Sequence, residues 1–193
     1  FIKEYYDKQC FLFYNYFNFI SFLKKVRKEN EYNVIMFLSR DSYFLYLLYA
    51  NMYPELKLGK DYVYIFSSRH CFCERRNDYY KKYIESFNSE KKNILMIDIY
   101  GTGNSFLRFI NYYDLYNIKI LFYCHNNTEL GYLEHRNKED VDGFIFSRDG
   151  IILESIFRAP HDKVIGVTND YSPILSKENA HDKTDILNDT DKK

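Results

Sequence analysis

The chain has 193 residues, of which 46% are hydrophobic and 28% are charged, a composition typical of a folded globular protein rather than a disordered one. Its 27 basic residues balance its 27 acidic residues, so net charge gives no support for nucleic-acid binding through phosphate contacts. This length is enough for one domain with a substantial core. We expect that domain over residues 1–175 and a polar tail, disordered or a linker, over 176–193.

Cysteine spacing and hydropathy limit the kind of protein further. The four cysteines, Cys10, Cys71, Cys73 and Cys124, form no zinc-type pair, so we expect reduced thiols in a cytoplasmic protein. The longest apolar region, residues 10–23, is interrupted by polar residues and is too short to cross a bilayer. The first residue is Phe rather than Met, which indicates a piece of a longer protein. The five histidines are scattered, and we expect them at the surface or at helix ends.

The first predicted element is a helix over residues 3–28. Aromatic and apolar side chains recur at helical spacing from Phe11 to Val26, and residues 24–28 place cations in the last turns. An aromatic stripe of this kind can lie on a membrane surface. We favour a core face or a contact with a neighbouring domain.

Residues 33–38 predict a buried strand, and residues 43–50 predict the helix that follows it. The loop between them contains Ser39, Arg40, Asp41 and Ser42. Arg40 offers a bidentate fork for phosphate. The alternative is an Arg40–Asp41 surface pair at a helix start.

A third strand is predicted over residues 62–66 and ends in a polar segment that contains Arg69. Residues 71–92 are rich in charge and tyrosine, and one interpretation is a solvated helix.

The most informative stretch is residues 93–110. The apolar run 94–97 predicts a buried strand, the loop runs from Asp98 to Ser105, and residues 106–110 predict a helix. Backbone amides in a glycine-containing loop at a helix N-terminus form an anion site. The loop is therefore a candidate phosphate cradle with one carboxylate, Asp98, at the carboxyl end of a strand. The alternative is a plain connection in which Ser105 caps the helix.

Two further strands are predicted over residues 119–124 and 142–146, and a helical segment over 151–157. Strands that alternate with helices imply right-handed crossovers and a mainly parallel sheet. The fold class predicted is therefore α/β, a Rossmann-like sheet flanked by helices.

The stretch from the strand through Asp98 to Ser105 resembles the phosphoribosyl-pyrophosphate loop of type I phosphoribosyltransferases. That pattern has two acids, and the first is replaced by Ile97 here. The resemblance implies that the residues of the loop bind the 5-phosphate: Tyr100, Gly101, Thr102, Gly103, Asn104 and Ser105. It implies that Asp98 engages the ribose hydroxyls and Mg²⁺, and that the pyrophosphate is bound by Ser39, Arg40, Asp41 and Arg69. Asp98, Arg40 and Arg69 are the catalytic candidates, and residues 71–92 occupy the place of the family's mobile loop.

A more specific resemblance combines residues 37–43, 98–102 and 153–161. Together they look like a module that lies beside haloacid dehalogenase-like phosphatase domains in bacterial capsule and O-antigen proteins. The resemblance implies transfer of ribofuranose 5-phosphate from phosphoribosyl pyrophosphate to a glycan acceptor, after which the phosphatase domain removes the 5-phosphate. Two alternatives stay open. Residues 98–102 also fit the nucleophile motif of haloacid dehalogenase-like phosphohydrolases, with Asp98 as nucleophile. The third possibility is a non-catalytic assembly domain.

Overall fold

A computed structural model describes residues 2–29, 31–73, 78–87, 93–115, 117–126, 140–146, 153 and 159–176. Side chains are described from residue 13 onward within those ranges, except at residue 73. The predicted tail beyond residue 176 and the predicted helix over 151–157, apart from the buried Leu153, lie outside the described residues.

A parallel sheet forms the centre of the molecule. Within the described residues it has five strands in the order β2-β1-β3-β4-β5, and every neighbouring pair is parallel. The strands are β1 (Val34–Leu38), β2 (Tyr62–Ile65), β3 (Ile94–Gly101), β4 (Ile118–His125) and β5 (Val141–Phe146). All five residues of β1 are buried, as expected for a parallel strand that is covered on both faces. The predicted α/β class with a Rossmann-like parallel sheet is confirmed.

Helices cover both faces of the sheet. On one face lie α1 (Ile2–Lys28) and α2 (Tyr43–Met52); α2 and the carboxyl-terminal half of α1 pack apolar side chains against alternate residues of the strands. On the other face lie α3 (Arg69–Cys73), α4 (Asp78–Ser86) and α5 (Asn104–Tyr113). The predicted first helix is therefore confirmed, and the part of it that meets the core contains Phe19, Phe22, Leu23 and Val26.

Three features differ from the sequence-based expectations. Residues 98–101 belong to β3, because pairing with β4 continues as far as Gly101 and His125, so the loop is much shorter than predicted. Within 71–92, the described part of α4 buries Tyr80, Tyr83 and Ile84, so it is an amphipathic packed helix rather than a solvated one. An antiparallel hairpin, β6 (Val164–Val167) with β7 (Pro173–Leu175), was not predicted.

The hairpin joins the same core as the sheet. Val164 and Val167 are buried among the residues that cover the α3–α5 face. Among the helices that the structure describes, none combines the length and apolarity needed to cross a membrane.

Candidate functional site

The strand order creates a crevice between β1 and β3. These strands are neighbours, but the helices that follow them, α2 and α5, cover opposite faces of the sheet. In open α/β sheets, ligands bind at the carboxyl ends of the strands where the connections diverge in this way. Both loops that the sequence singled out, 39–42 and 102–103, lie at this point. Arg69 follows β2, which is separated from β3 by β1.

Two buried serines bind the loop after β1 to the loop after β2. Ser39 Oγ donates to the carbonyl oxygen of Ser67 at 2.8 Å and accepts from the Ser67 backbone N–H at 2.8 Å. Ser67 Oγ donates in turn to the carbonyl oxygen of Ser39 at 3.0 Å. We call this pair the serine clasp. The Ser39 hydroxyl, predicted to bind pyrophosphate, is therefore engaged in holding the two loops together.

The loop after β1 carries Arg40 and Asp41. Arg40 is partly buried, its peptide bond to Ser39 is cis, and its carbonyl oxygen accepts the backbone N–H of Ala159 at 3.0 Å. Ser42 is fully buried and its hydroxyl donates to the Leu38 carbonyl oxygen. Arg69 begins α3 and is exposed. The serine clasp therefore holds the loop that contains Arg40 beside the loop that leads into Arg69.

Asp98 lies on the α3–α5 face of the sheet. Its neighbours Ile97 and Ile99 are fully buried on the opposite face, so a carboxylate at position 97 would enter the α1–α2 core. Asp98 Oδ1 accepts the backbone N–H of Ile99 at 2.8 Å. Ile97 therefore belongs to the α1–α2 core, and Asp98 is the acid that this strand places on the other face.

Tyr64 of β2 lies on the α1–α2 face of the sheet, where its ring contacts that of Tyr43 at a centroid distance of 5.3 Å. The pKa of its phenol is raised well above the usual value, first by burial and then by the negative charges of Asp41, with a smaller contribution from Asp98. Tyr64 also hydrogen-bonds His161 Nε2 at 2.8 Å. Because His161 Nδ1 lies 2.8 Å from a carbonyl oxygen, that of Asp162, Nδ1 carries a proton.

The turn between β3 and α5 is short and depends on glycine. Gly103 is the N-cap of α5 and has a φ of 78°, a left-handed value that residues with side chains rarely adopt. A Cβ at this position would lie 2.7 Å from Val141 Cγ1. Thr102 Oγ1 accepts the Asn104 backbone N–H at 3.4 Å. Ser105 is not the helix cap, because it already lies inside α5 and Gly103 is the N-cap; the alternative of a plain connection stays open.

Two residues of this edge were missed at the sequence level. His125, expected at the surface, is only 2% exposed, and its Nε2 lies 3.4 Å from the Thr102 carbonyl oxygen. Asn126 donates its backbone N–H to the Gly101 carbonyl oxygen at 3.0 Å and its side-chain amide to the Tyr100 hydroxyl at 3.2 Å. Gly143 was the available signal, because a glycine inside a strand indicates a close approach by another group.

The predicted Mg²⁺ ion would need side-chain ligands at the carboxyl ends of the strands. Among the described residues, no group of three His, Cys, Asp or Glu side chains is placed to hold a metal ion. Mg²⁺ commonly binds through one or two carboxylates together with substrate phosphates, and Asp98 is the carboxylate that the sequence offered for this role. Cys71 and Cys124 are buried and form no disulfide, whereas the side chains of Cys10 and Cys73 lie outside the described residues.

Comparison with known proteins adds no family: no family model, curated protein or solved structure matches the chain. What the coordinates establish is an α/β fold whose parallel sheet brings residues 39–42 and 102–103 together at its switch point.

Proposed function

We propose that this chain is a phosphoribosyl pyrophosphate-dependent transferase that moves ribofuranose 5-phosphate to a glycan acceptor in capsule or O-antigen synthesis. One observation carries the proposal. The two loops with phosphate-binding chemistry follow adjacent strands, β1 and β3, whose helices diverge to opposite faces. A substrate with a phosphate at each end can span such a crevice.

The loop at 102–103 and the start of α5 are the proposed site for the 5-phosphate. The first amides of a helix have no partner within the helix, and the helix dipole favours an anion there. Gly103 allows the chain to turn directly into α5, and Thr102 and Ser105 add hydroxyl groups near the same end. Arg40 and Arg69 are proposed to neutralise the pyrophosphate, which leaves with additional negative charge.

Asp98 is proposed to hold the ribose hydroxyls and a Mg²⁺ ion that enters with the substrate. The ion would supply charge stabilisation for the departing pyrophosphate. A site built for a metal–substrate complex needs few protein ligands, and Asp98 is the carboxylate proposed to contribute one.

The proposed reaction needs no protein nucleophile. The bond from ribose C1 to the pyrophosphate oxygen breaks, the acceptor hydroxyl oxygen forms the new bond to C1, and the hydroxyl proton passes to solvent. The chain contributes position and charge, which are the main sources of rate in such transfers. A haloacid dehalogenase-like phosphatase domain that later removes the 5-phosphate is part of the proposal.

The test is thermal stabilisation by phosphoribosyl pyrophosphate with and without Mg²⁺, with ribose 5-phosphate and pyrophosphate as separate ligands. Binding to the native state raises the free energy of unfolding by about 2.7 kcal/mol at a ligand concentration of 100 Kd, and the melting temperature rises with it. We expect a Mg²⁺-dependent shift that Asp98→Asn abolishes. Asp61→Asn is the matched control, because Asp61 precedes β2 at the opposite edge of the sheet.

Other outcomes would replace the proposal. A beryllofluoride adduct on Asp98 would favour the haloacid dehalogenase-like phosphohydrolase. Failure of every phosphorylated ligand to stabilise the protein at millimolar concentration would favour a non-catalytic assembly domain.

A further inference from the structure

His125 is built into the support of the turn that follows β3. It ends β4, and its ring stacks on Phe122 with a centroid distance of 5.6 Å and an interplanar angle of 12°. The neighbouring strand makes room for it, because a Cβ on Gly143 would lie 2.4 Å from His125 Cβ. A buried, stacked imidazole has few orientations open to it, so its ring nitrogens are held in fixed positions.

The ring orientation places one nitrogen against the backbone of the turn. His125 Nε2 lies 3.4 Å from the Thr102 carbonyl oxygen, longer than the roughly 2.7–3.2 Å of most N–H···O hydrogen bonds, so the contact is a weak hydrogen bond. A carbonyl oxygen only accepts, so Nε2 carries the proton and donates it. Burial lowers the pKa of His125, which keeps the ring in this neutral form near pH 7.

A second contact from β4 acts on the preceding peptide. The Asn126 backbone N–H donates to the Gly101 carbonyl oxygen at 3.0 Å. In a trans peptide the carbonyl and the N–H point in opposite directions. The Gly101 carbonyl therefore turns the Thr102 N–H away from β4, and the Thr102 carbonyl turns the Gly103 N–H away from His125 Nε2. Since β3 lies between β4 and β1, these amides are directed to the β1 side, where Arg40 lies.

We propose that His125 is a positioning residue for anion binding: its Nε2–H holds the Thr102–Gly103 peptide so that the Gly103 N–H faces the crevice between β1 and β3. The ligand class is a phosphate monoester such as ribose 5-phosphate. The inference rests on the proposed function for its ligand, but the orientation of the peptide can be measured without one.

The test compares three variants by backbone amide NMR and by calorimetric titration with ribose 5-phosphate. His125→Leu removes the donor at similar volume, and His125→Gln places an amide N–H near the position of Nε2. Tyr123→Phe is the matched control, because Tyr123 is equally buried and hydrogen-bonds Asn15 at 2.8 Å on the opposite face. Thermal unfolding of each variant confirms that it is folded.

In the ligand-free protein we expect the Gly103 amide resonance to move in His125→Leu, to return toward its original position in His125→Gln, and to stay unchanged in Tyr123→Phe. Ribose 5-phosphate should bind about fivefold more weakly to His125→Leu than to the wild type, as for the loss of one net hydrogen bond, with recovery in His125→Gln.

The NMR comparison tests whether His125 positions the peptide, and the titration tests whether the peptide binds a phosphate monoester. An unchanged Gly103 resonance in a folded His125→Leu variant would overturn the positioning role. Binding losses of equal size in His125→Leu and Tyr123→Phe would also overturn it, because they would reflect general destabilisation. If ribose 5-phosphate does not bind the wild type, the ligand assignment and the proposed function fail, while the resonance comparison still decides the role of His125 in holding the peptide.

Discussion

Replacing Gly103 with alanine should destabilise the protein through two separable effects. The left-handed conformation at φ 78° costs a residue with a Cβ about 1–2 kcal/mol. The new methyl group would lie 2.7 Å from Val141 Cγ1 and 3.0 Å from Val141 Cγ2, so the side chain or the turn must shift. Overpacking of this kind costs about 1–3 kcal/mol, which gives a total of about 2–5 kcal/mol.

The chain supplies a matched control at Gly59. This residue has the same φ of 78°, but a Cβ there would meet no atom within 4 Å. Gly59→Ala should therefore show the conformational cost alone, about 1–2 kcal/mol. The difference between the two variants is the packing contribution of Val141. A second comparison is the double variant Gly103→Ala/Val141→Ala, in which the closest remaining Val141 atom is Cβ at 3.4 Å.

Equilibrium unfolding in urea measures these values. With a slope of about 2 kcal/mol per molar urea, the midpoint should fall by about 1–2.5 M in Gly103→Ala and by about 0.5–1 M in Gly59→Ala. The double variant should show a favourable coupling of about 1–3 kcal/mol. Equal losses in Gly103→Ala and Gly59→Ala would refute the reasoning that Val141 of β5 packs against the turn. A loss in the double variant equal to the sum of those in Gly103→Ala and Val141→Ala would refute it as well.

Two further predictions concern the edge of the sheet. Ser39→Ala should lower the free energy of unfolding by about 1–3 kcal/mol, and by more than Ser67→Ala. The reason is that Ser39 Oγ makes two hydrogen bonds of the clasp and Ser67 Oγ makes one. Urea unfolding of both variants measures the two losses, and a larger loss in Ser67→Ala would contradict the clasp geometry. Burial lowers the folded-state pKa of His125, an effect that the Thr102 hydrogen bond and the charge of Asp142 partly offset. The unfolded chain therefore binds the proton more readily, and stability present above pH 6.5 is lost as the pH falls through 6.5 toward the folded pKa. His125→Gln should flatten this slope between pH 7 and pH 5 in unfolding experiments, and an unchanged slope would show that His125 is not its source.

The strands could be predicted because each is a continuous apolar run followed by polar residues. Runs such as 34–38 and 94–97 have the length and branching of buried parallel strands, and the alternation with helical segments implied the parallel sheet. The end of β3 could not be predicted. Asp98 and Gly101 are rare in strands, and their place in β3 depends on pairing with β4 about two dozen residues later.

The candidate site was predictable in its loops and not in its supports. Ser39, Arg40, Thr102 and Gly103 carry recognisable chemistry next to strand ends. The burial of His125 depends on Phe122 and Gly143, and nothing next to His125 in the sequence distinguishes it from a surface histidine. The contact of His161 with Tyr64 joins residues 97 positions apart, a distance over which local patterns carry no information.

The serine clasp also has a consequence for the motions of the two loops that it joins, one after β1 and one after β2. Opening either loop breaks hydrogen bonds in both, so the amide hydrogens of residues 39 and 67 should exchange with solvent as one cooperative unit rather than independently. An anion that contacts Arg40 alone would slow exchange around Ser67 as well. Because of the clasp, the two loops should open and close together, and a ligand that orders one loop should also order the other.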